Sequence, residues 1–203
     1  FDESSANRAE ALAEKLNETL TSCPNGWLLE YYPSSGQYYG GFNVLLSFTE
    51  GNKVKAGSEV AGPGKTATST YTIYQSAGCV LAFDTYNEVI HYFADPETSG
   101  GDGAGYGFEG DFEFNVLELN DDKIILKGRK SGSRMTMTPM PVSISWDDYI
   151  SAIKEEENAI SRYTRVRYQA DGTKYDARFN GRTLEVFSEV DGEQVTTSYP
   201  FIV

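Results

Sequence analysis

The chain has 203 residues, long enough to bury roughly 70% of its unfolded surface in a real core, and 14 Tyr with 11 Phe rule out a disordered polymer. Seventeen Lys and Arg against 30 Asp and Glu give a formal charge of −13, which repels phosphate backbones and anionic lipid surfaces, so nucleic acid is not an expected partner. No apolar run approaches the roughly 20 residues of a membrane span, and Phe1 opens the chain with neither a basic nor an apolar leader, so any targeting signal is expected to be already removed or never present.

Ser4 or Ser5 can cap a first helix with Ala9, Leu12, Ala13, Leu16 and Leu20 on one face, stopped at Pro24-Asn25-Gly26. Trp27 to Tyr32 and Phe42 to Phe48 read as strands around a Gly- and Tyr-rich turn. Lys53 to Val60 follows, then a Gly-, Pro- and Thr-rich surface loop over 61–69, and strands at Thr70 to Gln75 and Val80 to Asp84. Links this short imply antiparallel order. From Thr85 to Phe93 the pattern fits a helix face or a strand equally, and Pro96 ends either one.

Six glycines between Gly100 and Gly110 predict a mobile or irregular loop. Asp111 to Leu119 alternates Phe112, Phe114 and Val116 with acids and turns into Lys123 to Lys127, with Met135 to Met140 as a further strand. Ser145 before Asp148 is a capping pattern for a second helix carrying Trp146, Tyr149, Ile150, Ile153 and Ile160. Strands at Thr164 to Gln169, Lys174 to Phe179, Thr183 to Val190 and Gln194 to Phe201, joined at Asp-Gly and Asn-Gly, make a β-meander. The expected fold is mainly β: an antiparallel barrel-like or sandwich sheet with an N-terminal helix and a second helix near residues 146–160. Residues 1–140 form the first unit, and 141–203 a helix plus meander, packed on the first or opening a second. Tyr32, Gly36, Tyr39 and Leu46 align with Tyr168, Gly172, Tyr175 and Leu184 if the two helix-plus-hairpin stretches are a duplication, although meanders resemble one another without one.

The chemistry-bearing residues are few. Gly105-Tyr-Gly107-Phe-Glu-Gly110 matches a dinucleotide fingerprint in letters only, because an acidic strand follows where a helix is required. His91 is the only histidine. On a helix, Asp84, Asn87, Glu88, His91 and Asp95 would converge on a calcium- or manganese-like cation; on a strand they divide between two faces, and a packed histidine is the plainer reading. No metal or other cofactor is therefore expected. No GxSxG elbow accompanies His91, leaving a hydrolase using His91 with Asp84 or Glu88 as the rival to a binding protein. Glu109, Asp111 and Glu113 fall on one solvent face of a strand, which suits solvation rather than paired-carboxylate catalysis. The stronger lead is a platform of Tyr38, Tyr39, Phe42, Tyr106 and Phe108, with Tyr31 and Tyr32 beside it, able to stack on sugar rings or a partner protein.

SxANR, PNGWLLEYYP, GGFNVLLSF, YTIYQSAGCVLAFDTYNEVIHYFADP, GDFEF and IILKGRK, in that order, resemble an uncharacterised Bacteroidetes cell-envelope lipoprotein family, a domain of unknown function. The resemblance implies a cleaved signal, a lipidated cysteine upstream of Phe1 as the sole membrane attachment, and residence at the outer membrane. It implies no activity, cofactor or catalytic residue. The oxidising compartment it points to favours a disulfide between Cys23 and Cys79, which over a loop of roughly 56 residues is worth ~4 kcal/mol. The function these readings converge on is a non-catalytic accessory protein binding a glycan or envelope protein, with a purely structural envelope subunit as a further alternative.

Overall fold

The computed structural model describes residues 5–98 and 100–203. Two antiparallel sheets and two long helices make up the fold. Helix α1 (Ser5–Thr21) is followed by β1 (Trp27–Tyr31), β2 (Phe42–Thr49), β3 (Lys53–Ser58), β4 (Thr66–Thr70), β5 (Thr72–Gln75) and β6 (Cys79–Ala82). A 3-10 turn at His91–Phe93 then leads to β7 (Glu113–Leu119), β8 (Ile124–Gly128) and β9 (Arg134–Pro139). These nine strands pair in the order β4-β3-β2-β1-β9-β8-β7-β6-β5. Only Tyr71 separates the two end strands in sequence, so the sheet curls into a near-barrel. Helix α2 (Trp146–Ile160) precedes a meander of β10 (Val166–Ala170), β11 (Thr173–Asn180), β12 (Thr183–Val190) and β13 (Glu193–Pro200).

Alternation decides which way each strand faces. Trp27, Leu29 and Tyr31 of β1, Val44, Leu46 and Phe48 of β2, and Leu126, Met135 and Met137 of β8 and β9 line one continuous buried interior. The last turns of α1 add Leu16 and Leu20 to it, and the Trp27 indole donates to the Leu20 carbonyl at 2.9 Å, tying helix end to sheet. Leu12, expected on the core face, is 40% exposed, because only the C-terminal half of the helix reaches the sheet. The Ser4 cap lies outside the described residues. On the opposite face of β1 and β2, Leu28 and Leu45 pack with Met140, Trp146, Tyr149 and Ile150, which seats α2. Ser145 caps that helix by accepting from the Asp148 amide at 3.1 Å.

A buried polar joint fastens the meander to this body. Arg182, at the β11–β12 turn, donates to the Gly41 carbonyl at 2.8 Å and to Glu157 of α2 at 2.9 Å. Its Nη1 also lies 2.5 Å from Glu59 Oε1, and its guanidinium sits 4.7 Å from the centre of the Phe42 ring. Asn43 completes the joint, donating to Glu59 Oε2 at 2.8 Å and to the Val203 carbonyl at 2.9 Å while accepting from the Tyr149 hydroxyl at 3.0 Å. Gly40, at φ +72°, leaves no room for a side chain: a Cβ there would stand 2.3 Å from Arg182 Cβ.

Several expectations are corrected. The 61–69 loop is partly strand, since Thr66–Thr70 pairs with β3 along Lys53 to Gly57. The 85–93 stretch is neither helix nor strand but a chain of turns ending in the 3-10 turn. The glycine loop is irregular, yet Gly105 donates to the Pro96 carbonyl at 2.8 Å, Gly107 to Gly103 at 2.9 Å and Gly110 to Phe93 at 2.7 Å. Asp111 leaves the solvent face expected for it: it is buried, its carboxylate accepting from the Lys130 amide at 2.6 Å, the Ser131 amide at 3.2 Å and the Ser131 hydroxyl. The proposed internal repeat fails at its hairpin. Tyr168 faces Tyr175 across a tight Asp171-Gly172 turn, whereas Tyr32 and Tyr39 lie in the long link between β1 and β2.

Tyr31 shows how tightly the interior is specified. Its hydroxyl donates to the Asp111 carbonyl at 2.8 Å and accepts from the Asp111 amide at 2.7 Å, and burial pushes its pKa far upward, with the nearby Asp111 charge adding to the shift. Tyr31→Phe therefore leaves both backbone polar groups of buried Asp111 without this partner and is expected to lower the unfolding free energy by about 1–3 kcal/mol, read as a fall in urea midpoint at unchanged slope.

Candidate functional site

Asn87 organises the segment that carries the lone histidine. Fully buried, it accepts on its side-chain oxygen from the Val89 and Ile90 amides at 3.0 and 3.3 Å, an Asx arrangement that starts the turn. Its amide nitrogen donates to Ser69 at 3.1 Å and to the Ala67 carbonyl at 3.3 Å, anchoring the turn on β4. The turn then divides its three residues. Phe93 points into the core, Tyr92 meets Phe108 with ring centres 5.8 Å apart, and His91 faces the other way onto Phe112 at 4.8 Å.

His91 is half-buried in a stack, with Phe112 tilted 27° from it and Tyr86 at 5.4 Å and 38°. The Asn87 amide lies 3.1 Å from Nδ1, while the Asn87 carbonyl already accepts from the His91 amide at 2.8 Å. Nδ1 also lies 3.2 Å from the Asn87 carbonyl, so whether it accepts from the amide or donates to the carbonyl follows the tautomer. Burial lowers the imidazole pKa, only partly offset by its contact with the Asn87 backbone, so the ring is held neutral. Asp84 and Glu88 are exposed, and among the described residues neither bonds to His91. No cluster of three or more His, Cys, Asp or Glu able to hold a metal occurs among the described residues. The ring is packed between two aromatic neighbours rather than paired with a carboxylate.

The residues of the expected platform occupy two levels. Phe42 and Phe108 are each 8% exposed and pack with Phe93 at 5.2 and 5.6 Å, forming a floor rather than a contact surface. Tyr39 is half-buried with its ring edge-on to Phe108 at 5.4 Å, and Asp102 of the glycine loop is close enough to act on its hydroxyl. Burial, then Asp102 and the Glu109 charge, raise its pKa. Tyr38 and Tyr106 stand at the surface, 69% and 68% exposed. Gly107, at φ +58°, brings the loop so close to the chain that a Cβ would stand 2.4 Å from the Asp95 carbonyl. Of the flanking pair, Tyr31 is core and Tyr32 half-buried.

Tyr86 and Phe112 are exposed rings outside the expected platform, as are Tyr163, Tyr168 and Tyr199. Alternation places Phe112 on the core face with Phe114, but β7 begins only at Glu113, so Phe112 precedes the pleat and is 39% exposed while Phe114 is fully buried. A bulge between Val116 and Glu118 then turns Leu117 outward as well. Cys23 and Cys79 are free thiols in the structure, Cys79 buried and Cys23 half-buried, and burial raises both pKa values. Two concavities of about 1600 and 690 Å³ lie on the meander and under the end of α2, and neither is lined by His91, Tyr38 or Tyr106. No helix among the described residues is long and apolar enough to cross a membrane.

A near-barrel of antiparallel strands, joined through a buried ion network to a meander, defines a mainly β protein. The chain belongs to the family described as Domain of unknown function (DUF4302), whose pattern matches residues 1–203. No curated protein and no solved structure matches it.

Proposed function

We propose that this is a non-catalytic, lipid-anchored accessory protein of the cell envelope that binds a glycan or a protein through its aromatic loops. The observation that carries the reading is the pairing of two exposed tyrosines, Tyr38 and Tyr106, on glycine-rich loops tied together by Tyr39, Phe108 and Asp102 over a packed phenylalanine floor. Rings displayed on loops already fixed lose little freedom when a partner arrives, which is how aromatic contacts yield affinity. The anchor and the envelope location rest on the sequence resemblance.

The test is a glycan array together with pull-down from envelope extracts, comparing the wild type with the Tyr38→Ala, Tyr106→Ala double variant. Both side chains are mostly exposed, so the double variant keeps its melting temperature. The expected result is at least one glycan or protein whose binding weakens about tenfold or more, the size of 1.4 kcal/mol. Unchanged binding removes these loops as the contact surface, and no binding by the wild type favours a structural subunit. Incorporation of labelled palmitate into the full-length gene product, with recovery in the outer-membrane fraction, checks the anchor.

A further inference from the structure

The geometry points to a second ligand surface, at Tyr86, His91 and Phe112, that takes the pyranose ring of a neutral glycan. It lies on the opposite flank of the 3-10 turn from the Tyr38 and Tyr106 loops and does not depend on them.

Two features favour a ligand over bare packing. Tyr86 is 74% exposed and Phe112 39% exposed, on either side of a half-buried imidazole, so the stack presents apolar ring faces to water where a polar side chain would fit. The rings come from two separately fixed stretches of backbone. His91 is held by the turn that Asn87 starts, and Tyr86 immediately precedes that anchor. Phe112 is held where its carbonyl accepts from the Phe83 amide at 2.9 Å, beside an Asp111 whose peptide and carboxylate are all bonded. A surface of this kind is preorganised, and a ligand meets rings that need not move.

The polar chemistry narrows the class. Nε2 has no partner among the described residues, so it is available to a ligand hydroxyl, as donor or as acceptor according to the tautomer. Exposed Asp84 and Glu88, on the same short segment, add acceptors for further hydroxyls. Stacking faces with a few hydroxyl-directed donors and acceptors match a sugar ring, which is apolar on its C–H face and hydroxylated at its rim. A chain of charge −13 repels uronic-acid and sulfated polymers, leaving neutral hexose and pentose polymers as the class.

Affinity electrophoresis of the intact protein in gels containing soluble starch, laminarin, xylan or galactomannan, with polygalacturonate as the anionic control, tests this directly. At least one neutral polymer is expected to retard the protein, with the apparent dissociation constant rising about tenfold in Tyr86→Ala and about as much in Phe112→Ala. Tyr86→Trp, which enlarges the stacking face, is expected to retain or strengthen retardation. The Tyr38→Ala, Tyr106→Ala double variant is expected to be retarded at this site as the wild type is, which separates failure here from failure of the loop surface. Thermal melts confirm that each variant folds. Retardation by none of the neutral polymers, retardation only by polygalacturonate, or wild-type retardation in both Tyr86→Ala and Phe112→Ala would overturn the assignment.

Discussion

Arg182→Met is expected to lower the unfolding free energy by about 3–5 kcal/mol at neutral pH, because it removes one partner of a buried pair and strands the other. Glu59 is 3% exposed, and its remaining contact in the joint is the Asn43 amide. The methionine fills part of the volume, so the loss reads the orphaned charge more than a cavity. Little of it comes from Glu157, whose side chain is 48% exposed and whose bond to Arg182 is screened by water. The pH dependence gives the signature. Burial raises the Glu59 pKa above its ordinary 4.5 even in the wild type, with Arg182 and Asn43 pulling it back. A raised carboxyl favours the protonated folded form, so its contribution is present below 4.5 and is lost as pH rises through the folded value. Removing the guanidinium raises that value further. The deficit of the variant is therefore largest near pH 7.5 and shrinks towards pH 4.5, measured by urea melts of both proteins across that range. A deficit independent of pH would mean that Arg182 acts only through packing. Because the same residue holds the Gly41 carbonyl and stacks on Phe42, protease cutting in the meander is expected to accelerate before the near-barrel unfolds.

This joint was invisible in the sequence, and the reason is physical. Glu59 falls near the end of a stretch that reads as an ordinary strand, Arg182 is a turn residue, and burial of both arises only when segments separated by more than a hundred residues come together. The class of fold, by contrast, was legible, because period-two alternation and Asp-Gly or Asn-Gly turns are local signals. The strands at Thr183–Val190 and the helix at Trp146–Ile160 fall where pattern and capping place them. What local pattern loses is the strand end. Phe112 lies one residue before its strand and takes the face opposite to the one alternation assigns, and the bulge at Leu117 leaves that apolar residue outside the core. The stretch around His91 failed for a different reason: helix and strand periods both fitted, and the answer was an Asn-started turn whose bonds run to β4, 18 and 20 residues away in sequence. The aromatic platform was half legible. Composition located the rings, but only packing separates Phe42 and Phe108, which carry the surface, from Tyr38 and Tyr106, which are the surface.

Phe93→Ala is expected to cost about 3–5 kcal/mol, the range for deleting a fully buried aromatic ring. The ring has no exposed area and packs against Tyr31 at 4.6 Å, Phe42 at 5.2 Å, Tyr92 at 5.5 Å and Phe108 at 5.6 Å, so the cavity is walled by large groups that cannot all close in. Phe93→Leu keeps most of the volume and is expected to cost under about 2 kcal/mol. The two variants also separate support from contact. Phe108 rests on Phe93 and carries Tyr39, so the alanine variant loosens the glycine loop from beneath, and amide exchange over 100–110 is expected to quicken even where the protein remains folded. Binding through Tyr38 and Tyr106 should weaken with it, although neither tyrosine has been changed. The leucine variant should leave exchange and binding near wild type. Equal losses from alanine and leucine would mean that ring geometry, rather than filled volume, holds the loops in place.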